Sequence, residues 1–199
     1  MEMKLAWQGN SRTWIIVIFA IFSITLNACD KKNIGETKKD TIDKSIVLSA
    51  DGIGPINATT SFNMHQLTLA FSDYSVVEEA NYQEGTPFPV IRIYEGVKTI
   101  MTIIPDATRQ NIFSVIVEDN IVSNNLGHHL GSVYNEVYAY GQTEECQPGS
   151  EDMAGKVLCY APKTPNILYV FTGTGEASAN MPSADVLQSW GLESVIWRP

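Results

Sequence analysis

The sequence predicts a mainly β (α+β) chain of antiparallel strands with two or three short capped helices, and three observations carry that reading. Three apolar runs rich in β-branched residues, PVIRIYE, KTIMTIIP and IFSVIVE, follow one another between Pro89 and Glu118 with turn-forming residues between them. KVLCYAP, NILYVFTG and ESVIWRP repeat the pattern towards the C-terminus. Segments with helical periodicity are few and short.

The elements follow in order. YSVVEEANY, residues 74–82, supplies one strand. In FPVIRIYEGVKTIMTIIPD, residues 88–106, two strands flank a Glu95-Gly96-Val97 connection, and IFSVIVED, residues 112–119, follows a turn at Pro105-Asp106, which makes an antiparallel meander. Asn63 and Gln66 have capping-box spacing, and Phe62 and Leu67 stand where a hydrophobic staple would. NMHQLTLAF therefore starts a helix with Met64, Leu67 and Phe71 on its buried side and His65 off that stripe. Ser132 is placed to cap VYNEVYAY, ending at Gly141, and Ser183 to cap ADVLQSW, ending at Gly191. The layout of a capped short helix followed by strands occurs twice, from residue 63 to about Ile104 and from residue 133 to about Thr172. That suggests a duplicated helix-then-meander unit.

The N-terminal region has a different character. From Trp14 to Leu26 there are 13 residues of apolar sequence, whereas a helix rising about 1.5 Å per residue needs roughly 20 to cross a bilayer core. Lys4 and Arg12 precede the run, and Leu26-Asn27-Ala28-Cys29 closes it, so the charged, apolar and small-residue parts of a secretory signal occur in order. Leu-Asn-Ala-Cys resembles the lipobox of bacterial lipoproteins, in which the cysteine is diacylglycerated, the chain is cut before it, and the new amino terminus is acylated. Residues 1–28 are then the signal peptide and Cys29 the lipidation site; an uncleaved signal anchor is the competing reading. Three chains at about 0.8 kcal/mol per buried methylene hold a protein firmly where one would not. Asp30 is the sorting candidate. It resembles the inner-membrane retention signal of enteric bacteria, while Lys31 weakens that signal, so inner and outer membranes both stay open.

Residues 30–44, DKKNIGETKKDTIDK, hold only two strongly apolar residues, Ile34 and Ile42, and five of the chain's nine lysines beside four acids. Such a segment buries too little to fold. Residues 29–45 are accordingly read as lipidated cysteine plus flexible tether, and 46–199 as a single β-rich domain facing the periplasm, lipid-anchored in the bacterial cell envelope. From Ile46 onward six Lys and Arg stand against seventeen Asp and Glu, a net of −11. That sign excludes nucleic acid as the expected partner. It suits solubility, or a cationic protein or envelope component.

Cys146 and Cys159 remain, in a compartment that the signal makes oxidising, and a disulfide is the favoured reading. With twelve residues between them, the bridge is worth roughly 3 kcal/mol in the chain-entropy model. No metal site is expected: there is no C-x-x-C, and His128 and His129 sit in the Gly- and Asn-rich NNLGHHLGS, where they read as surface histidines.

The sequence contains no G-x-S-x-G, no H-E-x-x-H and no G-x-x-x-x-G-K-S/T. FTGTGEAS follows a strand without a dinucleotide-type crossover, so it reads as a loop, and no cofactor is expected. The acid pairs Glu78-Glu79, Glu118-Asp119, Glu144-Glu145 and Glu151-Asp152 are the candidates for a cell-wall hydrolase with paired carboxylates. That is the alternative to a non-catalytic binding or structural module, and no catalytic residue is assigned.

MPSADVLQSWGLESVIWRP, which closes the chain, is similar to the ending of the YfeY-like lipoproteins. The likeness lies in Met181-Pro182-Ser183, Asp185, the Leu187 to Trp190 spacing and Ile196-Trp197-Arg198, with the Gly131-Ser132 start, Tyr138 and the two cysteines upstream. The resemblance implies a β-sandwich-like domain and a lipid anchor, in envelope proteins under RpoE stress control with no assigned activity. It carries over no catalytic residues. Asp30 departs from the Ser expected of outer-membrane relatives.

Overall fold

The computed structural model describes residues 45–174 and 180–199. The expected signal peptide, Cys29, Asp30 and the tether up to residue 44 lie outside the described residues. The described chain opens with three short strands, β1 (Ile46–Ser49), β2 (Gly52–Ile53) and β3 (Ile56–Asn57), followed by helix α1 (Met64–Ala70). Four strands come next as a meander: β4 (Ser75–Gln83), β5 (Thr86–Glu95), β6 (Lys98–Pro105) and β7 (Ile112–Val117). After β8 (Val122–Asn124) and helix α2 (Tyr134–Val137) a second meander runs through β9 (Cys146–Pro148), β10 (Val157–Ala161), β11 (Thr164–Thr172) and β12 (Gly191–Trp197). A 3₁₀ turn, η1 (Glu151–Met153), separates β9 from β10, and α3 (Ala184–Leu187) precedes β12.

The strands form an eight-stranded sheet in the order β4-β5-β6-β7-β12-β11-β10-β9 and a four-stranded sheet in the order β3-β2-β1-β8. All pairings in the large sheet are antiparallel; in the small one β8 lies parallel to β1. The two meanders meet where β7 pairs with β12, with Ile116 opposite Ile196. A short helix leading into antiparallel strands therefore occurs twice, but each meander runs one strand beyond the expected bounds at Ile104 and Thr172, and it is these added strands, β7 and β12, that pair.

One face of the large sheet is covered by the small sheet and the helices, which gives the β-sandwich-like architecture. Ile46, Leu48, Ile53 and Ile56 from the small sheet join Ile91, Ile93, Met101, Ile103, Val115 and Val117 in one core with Tyr169, Phe171 and Trp197. Each such side chain contributes about 1.5–3 kcal/mol on full burial. Alternation sets the faces: Val115 and Val117 of β7 enter this core, while Ser114 and Ile116 turn to the other side. On β11, by contrast, both faces are buried. Leu168 and Val170 make a second small cluster with Ile196, packed by Ile116, Leu158 and Met153, which explains the unbroken apolar run of NILYVF.

The helices follow the expected chemistry only in part. Asn63 caps α1, its side chain accepting the Gln66 N–H at 3.0 Å, but the Gln66 side chain accepts from the Ser61 hydroxyl at 2.7 Å, so only half of the capping box forms. Leu67 and Phe71 are buried, Met64 packs against them, and His65 is exposed. Val133, not Ser132, is the N-cap of α2, and the Glu136 carboxylate accepts its N–H at 3.0 Å. Ser132 is buried and closes the preceding loop instead, its Oγ accepting the His129 N–H at 3.2 Å. α2 accordingly ends at Tyr138 rather than Gly141. α3 is short as well, and Ser183 stands at its N-cap without a side-chain bond. Glycine is required at Gly173, because a Cβ there would lie 2.3 Å from Cδ1 of the buried Trp190.

Candidate functional site

The outer face of the large sheet, opposite the main core, holds a cleft of about 640 Å³. Its floor is apolar, formed by Phe88 and Pro89 of β5, Ile104 and Pro105 of β6, Ile116 of β7 and Met153 of η1. Asn81 and Gln83 of β4 stand on one rim and Asp152 on η1. The β6–β7 turn closes one end with Asp106, Ala107 and Arg109, next to Phe113. An apolar cavity of this size with a few convergent polar groups has the general form of a ligand site.

Asp106 organises the turn. Its carboxylate accepts the Asn111 side-chain N–H at 2.9 Å, the Thr108 hydroxyl at 2.7 Å and the Gln110 N–H at 3.2 Å. Those bonds, from Asn111 first and Thr108 second, hold its pKa down at about 2. The carboxylate is thus a structural hub. Arg109, in the left-handed region at φ +58°, is carried out of this turn to the cleft, and its guanidinium makes no ion pair or side-chain hydrogen bond among the described residues. The Arg198 guanidinium lies 5.4 Å from the centroid of the Phe113 ring. A second hollow, of about 580 Å³, lies between α2 and the β10–β11 turn and is lined by Tyr138, Glu145, Tyr160 and Lys163.

Among the described residues the paired acids are held in local bonds or exposed. Glu79 accepts from the Tyr94 hydroxyl at 2.7 Å and pairs with Arg92, and these bonds, Tyr94 foremost, lower its pKa. Glu118 accepts from the Thr102 hydroxyl at 2.6 Å. Asp119 pairs with Lys98, which lowers its pKa. Glu144, Glu145, Glu151 and Asp152 are exposed. A glycosidase acid needs a carboxyl whose pKa is raised by an apolar wall; the carboxyls shifted here move the other way.

Cys146 and Cys159 form the expected disulfide, bridging directly opposed positions of β9 and β10. His128 departs from the surface position expected of it. It is half-buried, with its ring edge-on to Tyr169 at 5.5 Å and Nδ1 2.9 Å from the Tyr169 hydroxyl, which accepts from the Asn124 amide at 3.0 Å. Among the described residues no three His, Cys, Asp or Glu side chains converge in a way that could hold a metal, and no helix is long and apolar enough to cross a membrane. The cleft itself escaped the sequence reading because its residues come from β4, β5, β6, β7 and η1, and only the out-facing positions of the meander hinted at it.

A family model described as "Protein of unknown function (DUF1131)" matches residues 39–199. The chain belongs to this family. It is 26% identical over 158 residues to the "Uncharacterized protein YfeY" of Escherichia coli (strain K12), covering 77% of this chain and 80% of that protein. The crystal structure of the uncharacterized protein yfeY from Escherichia coli superposes with a TM-score of 0.65 at 23% identity, covering 78% of this chain and 99% of that one. The fold is shared, and the resemblance drawn from the C-terminal segment extends through the described domain.

Proposed function

We propose that the protein is a lipid-anchored lipoprotein of the bacterial envelope whose folded domain is a non-catalytic binding module facing the periplasm. The cleft carries this reading: an apolar floor ringed by Asn81, Gln83 and Arg109, whose side chains have no hydrogen-bond partner among the described residues, has the form of a site that holds a molecule. The lipobox-like ending at Cys29 and the Cys146–Cys159 disulfide support an anchored protein in an oxidising compartment. A net of −11 from Ile46 onward suits a cationic protein or envelope component as macromolecular partner, and a role linked to envelope stress rests on the resemblance to the YfeY-like lipoproteins.

Two measurements test it. Intact-mass analysis of the native protein should show a chain starting at Cys29 and carrying acyl groups; an unmodified thiol there, or retention of residues 1–28, would sink the anchor. Photolabelling of membranes bearing the protein with a neutral apolar diazirine probe should mark cleft residues, and Ala107→Trp, which places a bulky ring at the cleft mouth, should abolish that labelling. Equal labelling of the two proteins would remove the cleft as the binding site.

A further inference from the structure

The cleft has a direction. Its apolar track runs from Phe88 and Pro89 across Ile104 and Ile116 to Met153, where it joins the outer cluster of Leu168, Val170 and Ile196. Among the described residues the one cation that lines it, Arg109, stands at one end. The domain has six cations from Ile46 onward; Arg92, Lys98 and Lys156 are ion-paired, and Lys163 belongs to the β10–β11 hollow. Arg198 lies over Phe113, beside the cleft. That leaves Arg109, without an ion pair, at the end formed by the β4–β5 hairpin and the β6–β7 turn, where Asn81 and Gln83 offer amide donors; Glu78 and Glu79 line the adjoining hollow, Glu79 being held by Arg92 and Tyr94. Of the two carboxylates that line the cleft, Asp106 is engaged by its own turn, and Asp152 stands on η1, which packs across the β12–β11 side of the sheet.

We infer that the cleft binds a single-chain amphiphile, its anionic head held by Arg109 with Asn81 and Gln83 and its acyl chain laid along the apolar track toward Met153. The inference rests on the binding-module reading and names its ligand class. A guanidinium in an otherwise acidic domain is the group that selects a carboxylate or phosphate head, because charge-assisted bonds from its fork are directional. The acyl part is selected by removal of apolar surface from water, which favours a chain over a compact polar anion. Asp152, near the far end, repels an anion entering the other way round.

The test uses the full-length protein in its membrane. Dodecanoate and dodecanol, each with a terminal diazirine, are photolysed in separate samples, and labelled residues are located by mass spectrometry. Dodecanoate should label the Met153 region at least five-fold more than dodecanol. Arg109→Gln should bring dodecanoate down to the level of the alcohol measured in the same variant, and Arg109→Lys should retain part of the preference. Competition with unlabelled dodecanoate or lysophosphatidylglycerol then separates the carboxylate from the phosphate source. Equal labelling of the cleft by both probes, or an unchanged preference in Arg109→Gln, would overturn the head-group assignment and leave the cleft as a binding site. Failure of both probes to label the cleft would overturn both.

Discussion

The two halves of the large sheet share a layout and differ in how they are held. The β9–β12 half is braced from within. Cys146–Cys159 ties the short edge strand to β10, and Tyr134, Tyr138 and Phe171 pack beneath, with ring centroids 4.8–6.1 Å apart. The Tyr138 hydroxyl donates to the Tyr160 carbonyl at 2.6 Å, and burial pushes the Tyr134 pKa up to about 12 and that of Tyr138 higher, so both phenols remain neutral donors. In the β4–β7 half, β4 and β5 pair over nine positions, but the outer face is held mainly by Arg92, Glu79 and Tyr94, and β4 is largely exposed. Glu78 and Glu79 on that edge strand discourage pairing with another chain. One half is thus a scaffold, and the other leaves its outer face bare, which is where the cleft opens.

The contrast is sharpest in paired substitutions. Phe171 is fully buried against Tyr134, Tyr138 and Tyr169, so Phe171→Ala should cost about 3–5 kcal/mol and lower Tm by on the order of 10 °C. Phe88→Ala, at the floor of an open cleft, removes surface already partly in water and should cost under about 1 kcal/mol. Thermal denaturation of the two variants checks this, and equal losses would erase the distinction between the halves. Reduction of Cys146–Cys159 comes next, at about 3 kcal/mol by loop-closure entropy. Hydrogen exchange should then rise in β9 and β10 while β4–β5 protection stays as it was; loosening of β4–β5 first would reverse the assignment of scaffold.

The regular parts of both halves were legible in the sequence because strand chemistry is local. PVIRIYEGVKTIMTIIP declares two strands and their turn, and Asn63 declares its helix as a cap three residues before the Gln66 N–H that its side chain accepts. The short strands β1, β2, β3, β8 and β9 were not legible. Two to four residues carry too little period to read, and β1 and β8 become strands by pairing with each other across the chain. Ser132 misled for a related reason: its spacing suits a cap, but burial beside His129 gave the hydroxyl a nearer partner. The disulfide was legible through the compartment that the N-terminal region implies. The cleft was not, since Asn81, Ile116, Arg109 and Met153 become neighbours only when the meanders curl past one another.

The smallest expected effect lies where the second half meets the small sheet. Tyr169 is buried on β11, and its hydroxyl accepts from the Asn124 amide of β8. Its own proton can then be donated to Nδ1 of His128, an arrangement in which the imidazole is neutral and carries its proton on Nε2. Burial lowers the His128 pKa, with His129 adding to the effect and Glu136 opposing it. The native state therefore binds fewer protons than the unfolded chain, and stability should fall as pH drops below about 6.5, the unperturbed histidine value, towards the depressed folded value. His128→Gln, which keeps a polar group there without titrating, should flatten that part of the Tm-versus-pH curve while leaving its value at pH 8 nearly unchanged. Because His65 and His129 are retained in both proteins, superimposable curves between pH 7 and 5 would show that the Tyr169 contact does not tie the small sheet to β11 through a neutral imidazole.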